Sequence, residues 1–357
     1  MKSNTSLKVA ILTTRGLPAR YGAFEQTVDQ LVKYASINSS KFTFYVACAN
    51  DAEQHPYEQN NVIRKFYNRK NGIGVLYYGL KSFYDFYIMG IRTFICFGYG
   101  LSPFFIIFNK LLGCKIICNV DGFEWRREKW GVIAKRYFKI CEYLAAKSNT
   151  HLIFDSFGVA RYYSIKYKRN GNIIFYGTEE IKNYSLSKFY NELSAIEYFV
   201  VVMRMEPENH IYDIVSGFLL SNRKEHLLLI GPETSYFLRK ILPLVHLSDG
   251  RVKWMGPIYD RVNLLAIRSL AVGYIHGHSV GGTNPTLVEA CSIGRPIIAF
   301  NSIFNKEVLG NKALYFNDSN ELSIILDNKF ELKLHPPILS EKYTWPFVSS
   351  QYFNMLE

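Results

Sequence analysis

Short apolar segments alternate with segments of helical periodicity along the whole chain, and this pattern restricts the fold more than any other feature. Ala23–Ala35 is typical of the helical segments, since Phe24, Val28 and Leu31 fall on one face. Buried strands that alternate with helices predict parallel sheets. The predicted strands are Val9–Thr13, Phe42–Cys48, Val62–Phe66, Thr93–Phe97, Lys115–Val120, Leu152–Phe154, Asn172–Phe175, Tyr198–Met203, His226–Ile230, Arg251–Trp254, Ala271–Ile275, Pro296–Phe300 and Ala313–Tyr315.

The strands form two sets, separated by a polar linker at Glu179–Ser194. A length of 357 residues also favours two domains. We expect an α/β fold of two Rossmann-like, doubly wound domains at residues 1–180 and 181–340, with 341–357 crossing back to the first. Ligands of such folds bind at the carboxyl ends of the strands, so we expect the site in a cleft between the two domains.

The net charge of +12 comes entirely from the first half. Residues 1–180 hold 25 Lys and Arg against 13 Asp and Glu, whereas residues 181–357 hold 17 of each. No nucleic-acid-binding motif accompanies this charge. The Tyr- and Phe-rich segment Val75–Ile91 is instead typical of a helix at an anionic membrane surface, although its aromatic residues would equally suit a core. The sequence has no apolar run of 18 residues and no CxxC pair, so we expect no transmembrane helix and a reducing compartment. Together with the membrane-surface segment, this predicts a cytoplasmic protein on the inner face of the membrane.

Two loops after predicted strands of the first half carry charged residues. The first, Thr13–Glu25, has glycines that permit close backbone approach, and its Arg15 and Arg20 suit a phosphate, but an ordinary strand–helix turn remains an alternative. The second, Asn119–Arg127, places Asp121 directly after a strand. A turn closed by salt bridges is the alternative there.

Two loops of the second half have the features of an anion site. Arg204 follows a strand and can hold a diphosphate, unless it pairs with a nearby Glu. In the other loop, Asn284 is a good N-cap and Pro285 a good first helical residue, so a helix of about two and a half turns is predicted. Its N-terminal N–H groups favour an anion, and Glu289 lies one turn in. The histidines at 276 and 278 favour ligand contact or core packing over a metal.

Taken in order, these segments resemble the family-4 retaining glycosyltransferases of GT-B architecture, and in particular bacterial rhamnosyltransferase-like enzymes of capsule, O-antigen (lipopolysaccharide) and cell-wall synthesis. The resemblance rests on Gly16–Glu25, Asp121–Trp125, Arg204 with Pro207–Asn209, and Gly281–Glu289. It implies a hexosyltransferase that moves a hexose or deoxyhexose, rhamnose as the best guess, from a nucleotide-diphosphate sugar such as dTDP-rhamnose. The acceptor would be a polyprenyl-diphosphate-linked glycan. No Asp-x-Asp pair occurs, so we expect neither metal nor cofactor.

The resemblance also implies roles for single residues. Asp121 and Arg204 would be catalytic, and the acceptor side would include Arg15, Arg20 and Glu124. The donor-binding residues would be Gly22, Arg204, Asn209, His278, Gly281, Gly282, Thr283, Asn284 and Glu289.

Two positions depart from the family pattern. Asn209 stands where many members have a Lys that shares the diphosphate, and the earlier Glu of a paired-glutamate motif falls at or near Gly281 or Ser279. Two alternatives therefore remain. One is a non-catalytic nucleotide-sugar-binding partner in polysaccharide assembly, and the other is a nucleotide-sugar epimerase that uses His276, His278 and Asp121.

Overall fold

The computed structural model describes residues 6–19, 22–38, 41–52, 55–70, 72–127, 130–179, 188–328 and 339–357. The chain divides into two compact units, one of Met1–Gly177 with Lys342–Glu357 and the other of Thr178–Glu341. Each is a parallel sheet with helices on both faces. The predicted strands all occur, with ends within two residues of the predicted positions, because continuous apolar segments suit strands buried on both faces.

The first unit has a seven-stranded sheet in the order β3-β2-β1-β4-β5-β6-β7. Ile11 of the central strand pairs with Val46 on one side and Ile95 on the other. The strands are β1 Leu7–Leu12, β2 Phe42–Ala49, β3 Val62–Tyr67, β4 Thr93–Phe97, β5 Lys115–Asn119, β6 His151–Phe154 and β7 Asn172–Ile173. The helices are α1 Ala23–Asn38, α2 Ile73–Ile88, α3 Ser102–Ile106 with a π-helical turn at Ile107–Leu111, α4 Val132–Lys147 and α5 Phe157–Tyr167.

The second unit has a six-stranded sheet in the order β10-β9-β8-β11-β12-β13. Its strands are β8 Tyr198–Val202, β9 His226–Ile230, β10 Val252–Gly256, β11 Gly273–His276, β12 Ile297–Phe300 and β13 Leu314–Phe316. Its helices are α6 Ile211–Leu220, α7 Leu242–His246, α8 Arg261–Leu270, α9 Pro285–Ile293, α10 Ile303–Leu309 and α11 Ser319–Asp327. The strand order reverses between β8 and β11, and ligands of open α/β sheets bind at such a reversal.

The last helix, α12 Trp345–Leu356, belongs to the first unit. Its Trp345, Val348 and Tyr352 are buried in the same apolar core as α1 and the central strands. The Tyr352 hydroxyl accepts a hydrogen bond of 2.8 Å from Nδ2 of Asn119, the last residue of β5. The C-terminus therefore helps to fix the strand that leads into the Asp121 loop.

The segment Val75–Ile91 lies mostly in the helix α2, which ends at Ile88 and has part of its aromatic content in the core. Tyr78, Phe83 and Phe86 of α2 are buried, whereas Tyr77 and Tyr84 are exposed. No helix among the described residues is both long and apolar enough to cross a membrane.

Candidate functional site

The loop between β11 and α9 forms the predicted helix start. The Asn284 side chain accepts a hydrogen bond of 2.9 Å from the backbone N–H of Thr286, Pro285 occupies the first turn, and Gly294 ends the helix at a φ of 74°. Gly281 has a φ of 109°, which few side chains tolerate. Gly281, Gly282 and Thr283 are buried just before the helix. The predicted N-cap and helix are thus confirmed. The first-turn N–H groups are engaged by Asn284, so an anion at this end would meet the helix dipole and the loop that precedes the helix. Donor contact by these residues stays a prediction.

The loop after β8 lies directly against this one. Nδ1 of His278 is 2.6 Å from Oδ1 of Asn209, whose Nδ2 donates to the carbonyl of Arg204 at 2.7 Å. A Cβ on Gly277 would lie 1.9 Å from the carbonyl oxygen of Asn209, so only glycine permits this approach. The Arg204 loop and the loop leading to α9 therefore lie together at the carboxyl ends of β8 and β11.

Arg204 itself is half-buried, and its guanidinium makes no ion pair or hydrogen bond within the described parts of the chain. The alternative of a structural salt bridge to a nearby Glu is therefore not realised there. A partly desolvated guanidinium without an acidic neighbour attracts an anionic group. Asn209, in contrast, is buried with both polar groups of its side chain engaged by the protein.

Glu289 has a partner that the sequence did not reveal. Its Oε2 lies 2.7 Å from Nη1 of Arg268, which comes from α8. The Arg268 side chain is 1% exposed and that of Glu289 is 16% exposed. Within the described parts of the chain, Nε and Nη2 of Arg268 are buried without a hydrogen-bond partner. No local motif marks Arg268, because the contact depends on how α8 packs beside α9.

His276 is fully buried beside Tyr274. Burial, and secondarily the nearby Arg268, lower the pKa of His276 to about 3, so its imidazole is neutral at pH 7. Of the two roles left open for this residue, the structure places it in the core. Among the described residues, no group of three His, Cys, Asp or Glu side chains is arranged to hold a metal ion.

In the first unit, the loop after β5 is closed by salt bridges. Arg127 lies 3.5 Å from Asp121 and 2.9 Å from Glu124, which is the alternative considered for this loop. Asp121 has a φ of 58° and accepts from Tyr176 at 3.3 Å. Desolvation raises the pKa of the Asp121 carboxyl, against the opposing effect of Arg127. The catalytic role of Asp121 and the acceptor-side role of Glu124 stay predictions.

The loop after β1 is organised by a buried carboxylate. Glu25 of α1 accepts a hydrogen bond of 2.7 Å from the backbone N–H of Arg15. Gly22 has a φ of 101°, and a Cβ there would lie 2.5 Å from Oε2 of Glu25. Burial raises the pKa of Glu25, against the backbone hydrogen bond and the nearby Arg69. The Arg15 side chain is exposed, and Arg20 lies outside the described residues. Phosphate or acceptor contact by this loop, including Gly22, stays a prediction.

Comparisons with known proteins bear on this architecture. Residues 6–179 match a family model described as a domain of unknown function, DUF1972. No sequence among the curated proteins matches the chain.

Solved structures match over nearly the full length. Sucrose-phosphate synthase from Thermosynechococcus elongatus is similar with a TM-score of 0.76 at 15% identity, over 98% of each chain. HepE from Anabaena in complex with UDP-glucose has a TM-score of 0.74 at 13% identity, over 98% of this chain and 99% of that one. A trehalose-6-phosphate protein from E. coli, bound with UDP-2-fluoro glucose, has a TM-score of 0.68 at 12% identity, over 98% and 94%. The chain therefore has the GT-B fold.

Proposed function

We propose that this protein is a metal-independent glycosyltransferase that takes a hexosyl or deoxyhexosyl group from a nucleotide-diphosphate sugar. The observation that carries the proposal is that the Arg204 loop and the loop leading into α9 are joined through Asn209 and His278, at the carboxyl ends of β8 and β11 in the second unit. HepE, which shares the fold, was solved with UDP-glucose. We infer that Arg204 and the Gly281–Thr283 amides receive the diphosphate, and that Glu289 accepts from hydroxyls of the nucleoside sugar.

Glycosyl transfer requires that negative charge on the departing nucleotide diphosphate be stabilised while an acceptor hydroxyl is held against the anomeric carbon. A guanidinium, the loop amides and the helix dipole supply that stabilisation without a metal ion. The leaving phosphate then assists attack on the face from which it departs, which gives retention. Asp121, whose carboxyl is held by Arg127 and Tyr176, is proposed to face the reacting groups.

We further propose rhamnose as the transferred sugar, with dTDP-rhamnose as the donor. The acceptor would be a polyprenyl-diphosphate-linked glycan in bacterial surface polysaccharide synthesis, such as that of O-antigen or capsule. The excess of basic residues in the first half supports an acceptor presented at an anionic membrane surface.

A thermal-shift and calorimetric panel of nucleoside diphosphates and nucleotide sugars tests the donor site. A ligand at a hundred times its Kd stabilises the protein by about 2.7 kcal/mol. Arg204→Gln removes charge-assisted hydrogen bonds worth about 1.5–3 kcal/mol, so we expect the Kd for the diphosphate to rise about 10- to 150-fold. Arg239→Gln is the matched control, since Arg239 is exposed in the same unit. Equal Kd values for the two variants would contradict the proposal.

A turnover assay separates the rival functions. Transfer predicts that nucleoside diphosphate is released only when the lipid-linked acceptor is present. Donor binding without release of nucleoside diphosphate in the presence of such an acceptor would instead favour a non-catalytic binding partner. The departures from the family pattern at Asn209 and Gly281 are consistent with that alternative. Conversion of the donor without an acceptor would favour an epimerase, although the buried His276 is not positioned as its acid or base.

A further inference from the structure

Helix α4 exposes apolar and basic side chains together. Its outer face, called the α4 face below, consists of Val132, Ile133, Arg136, Tyr137, Lys139, Ile140, Tyr143 and Lys147. Ile133 is 86% exposed and Ile140 56% exposed, and their spacing of seven residues places them on one side of the helix. An exposed stripe of this kind marks an interaction surface.

The charged side chains of the α4 face are all basic. The only acid of the helix, Glu142, is fully buried and accepts hydrogen bonds from Trp125 and Tyr162. Arg136 and Lys147 form no ion pair within the described parts of the chain. Their positive charge is therefore available to an anionic partner.

Neighbouring helices extend this surface. Tyr137 donates a hydrogen bond of 2.7 Å to the carbonyl of Gly100, just before α3, and the Ser102 hydroxyl donates to the carbonyl of Cys141. On the outside of α3 and its π-helical turn, Ile107 is 43% exposed and Leu111 is 76% exposed. Beside α2, in contrast, Lys65 and Lys81 share the carboxylate of Asp85, which offsets one of their two positive charges.

We propose that the α4 face lies in the interface of an anionic lipid bilayer, with Ile133 and Ile140 inserted and Arg136 and Lys147 at the headgroups. Exposed tyrosines beside aliphatic residues suit the boundary between headgroups and acyl chains. A second copy of the chain fits poorly, because a symmetric contact would oppose cations to cations. A nucleic acid fits poorly too, because its backbone offers no apolar region for the two isoleucines.

The α4 face would be the part of the protein through which the membrane association proposed above takes place. The helix begins five residues after Arg127, so a docked α4 would bring the Asp121 loop towards the bilayer surface. Lipid-linked acceptors would then approach the first unit along the membrane. This membrane contact depends on the proposed function only for the identity of that acceptor.

Vesicle sedimentation of the full chain, without donor, tests the proposal. We expect binding to vesicles of phosphatidylcholine with 30 mol% phosphatidylglycerol, and little binding to phosphatidylcholine alone. Each cation near anionic lipid contributes about 1 kcal/mol, or about fivefold in the partition coefficient. Arg136→Gln with Lys147→Gln should therefore weaken binding about 25-fold, whereas Arg239→Gln with Lys253→Gln on the second unit should leave it unchanged.

A second pair of variants tests the apolar contribution to vesicle binding. Ile133→Ser with Ile140→Ser alters the α4 face, and Ile303→Ser with Ile324→Ser alters two exposed isoleucines of the second unit as the matched control. Only the first pair should release the protein from vesicles, by at least tenfold. The proposal is overturned if both pairs act alike or if neutral vesicles bind equally well. It is also overturned if the α4 variants change only the oligomeric state or the binding of DNA. Nucleotide binding by the same variants, measured separately, shows whether the donor site has failed independently.

Discussion

The Arg268–Glu289 pair predicts an asymmetry between its two single substitutions. Glu289→Ala leaves a guanidinium that is 1% exposed, without its carboxylate. Arg268→Met leaves a carboxylate that is 16% exposed and can reach water, and it replaces a buried charge with an apolar side chain. Since an uncompensated buried charge is the costly outcome, Glu289→Ala should destabilise the second unit more.

The loss of unfolding free energy in each variant follows from how deeply the remaining charge is buried. Removing one partner of a buried ion pair costs about 3–5 kcal/mol, which we assign to Glu289→Ala because Arg268 then has no anionic partner. For Arg268→Met we expect about 1–2 kcal/mol, because solvent screens the remaining carboxylate. At about 2–4 °C per kcal/mol for a unit of this size, the Tm should fall by about 6–20 °C in the first variant and about 2–8 °C in the second.

Differential scanning calorimetry without nucleotide measures both shifts, and the double variant provides the control. Arg268→Met should restore part of the Tm lost in Glu289→Ala, because it removes the orphaned charge. Equal shifts for the single variants, or a double variant with the sum of both losses, would refute the reasoning. For nucleotide binding, Glu289→Gln is the better variant, since its amide oxygen still accepts from Arg268.

Two further predictions concern the same unit. Asn209→Lys should lower the free energy of unfolding by about 2–4 kcal/mol, because it removes the hydrogen bonds to His278 and to the Arg204 carbonyl at a site only 3% exposed; an unchanged Tm in scanning calorimetry without nucleotide would contradict this. His276 has a pKa lowered to about 3 by burial, so below pH 6.5 the unfolded chain binds a proton that the folded chain does not. Between pH 6.5 and the lowered pKa of about 3, the free energy of unfolding should therefore fall by about 1.4 kcal/mol per pH unit from this group alone. His276→Asn should flatten the Tm–pH curve in that range, and identical curves would contradict this.

Features encoded by neighbouring residues were predictable from the sequence. The helix α9 could be placed because Asn284, Pro285 and Gly294 act through their own backbone and the adjacent turn. The strands could be placed because their composition fits burial on both faces. Local chemistry alone specifies these elements.

Contacts between distant segments could not be predicted in this way. Arg268 meets Glu289 only because α8 packs beside α9, and Tyr176 meets Asp121 only because both lie at one end of the first sheet. The Asp121 loop shows the limit most clearly, since its residues fitted both a ligand site and a salt-bridged turn. The side-chain positions show the salt bridges of the turn, whereas a ligand role for Asp121 stays a prediction.

Arg127 of the first unit and Arg204 of the second differ in whether a carboxylate already pairs with them, and this difference bears on which of the two receives the diphosphate. Arg127 already meets Asp121 and Glu124, so its charge is largely neutralised within its own loop. Arg204 has no acidic partner among the described residues, and its loop is joined through Asn209 and His278 to the loop that leads into α9. An anionic diphosphate should bind more favourably at Arg204 than at Arg127, because no existing ion pair has to be broken at Arg204. We therefore assign diphosphate recognition to the second unit, and expect the paired carboxylates of the first to meet neutral hydroxyl groups instead.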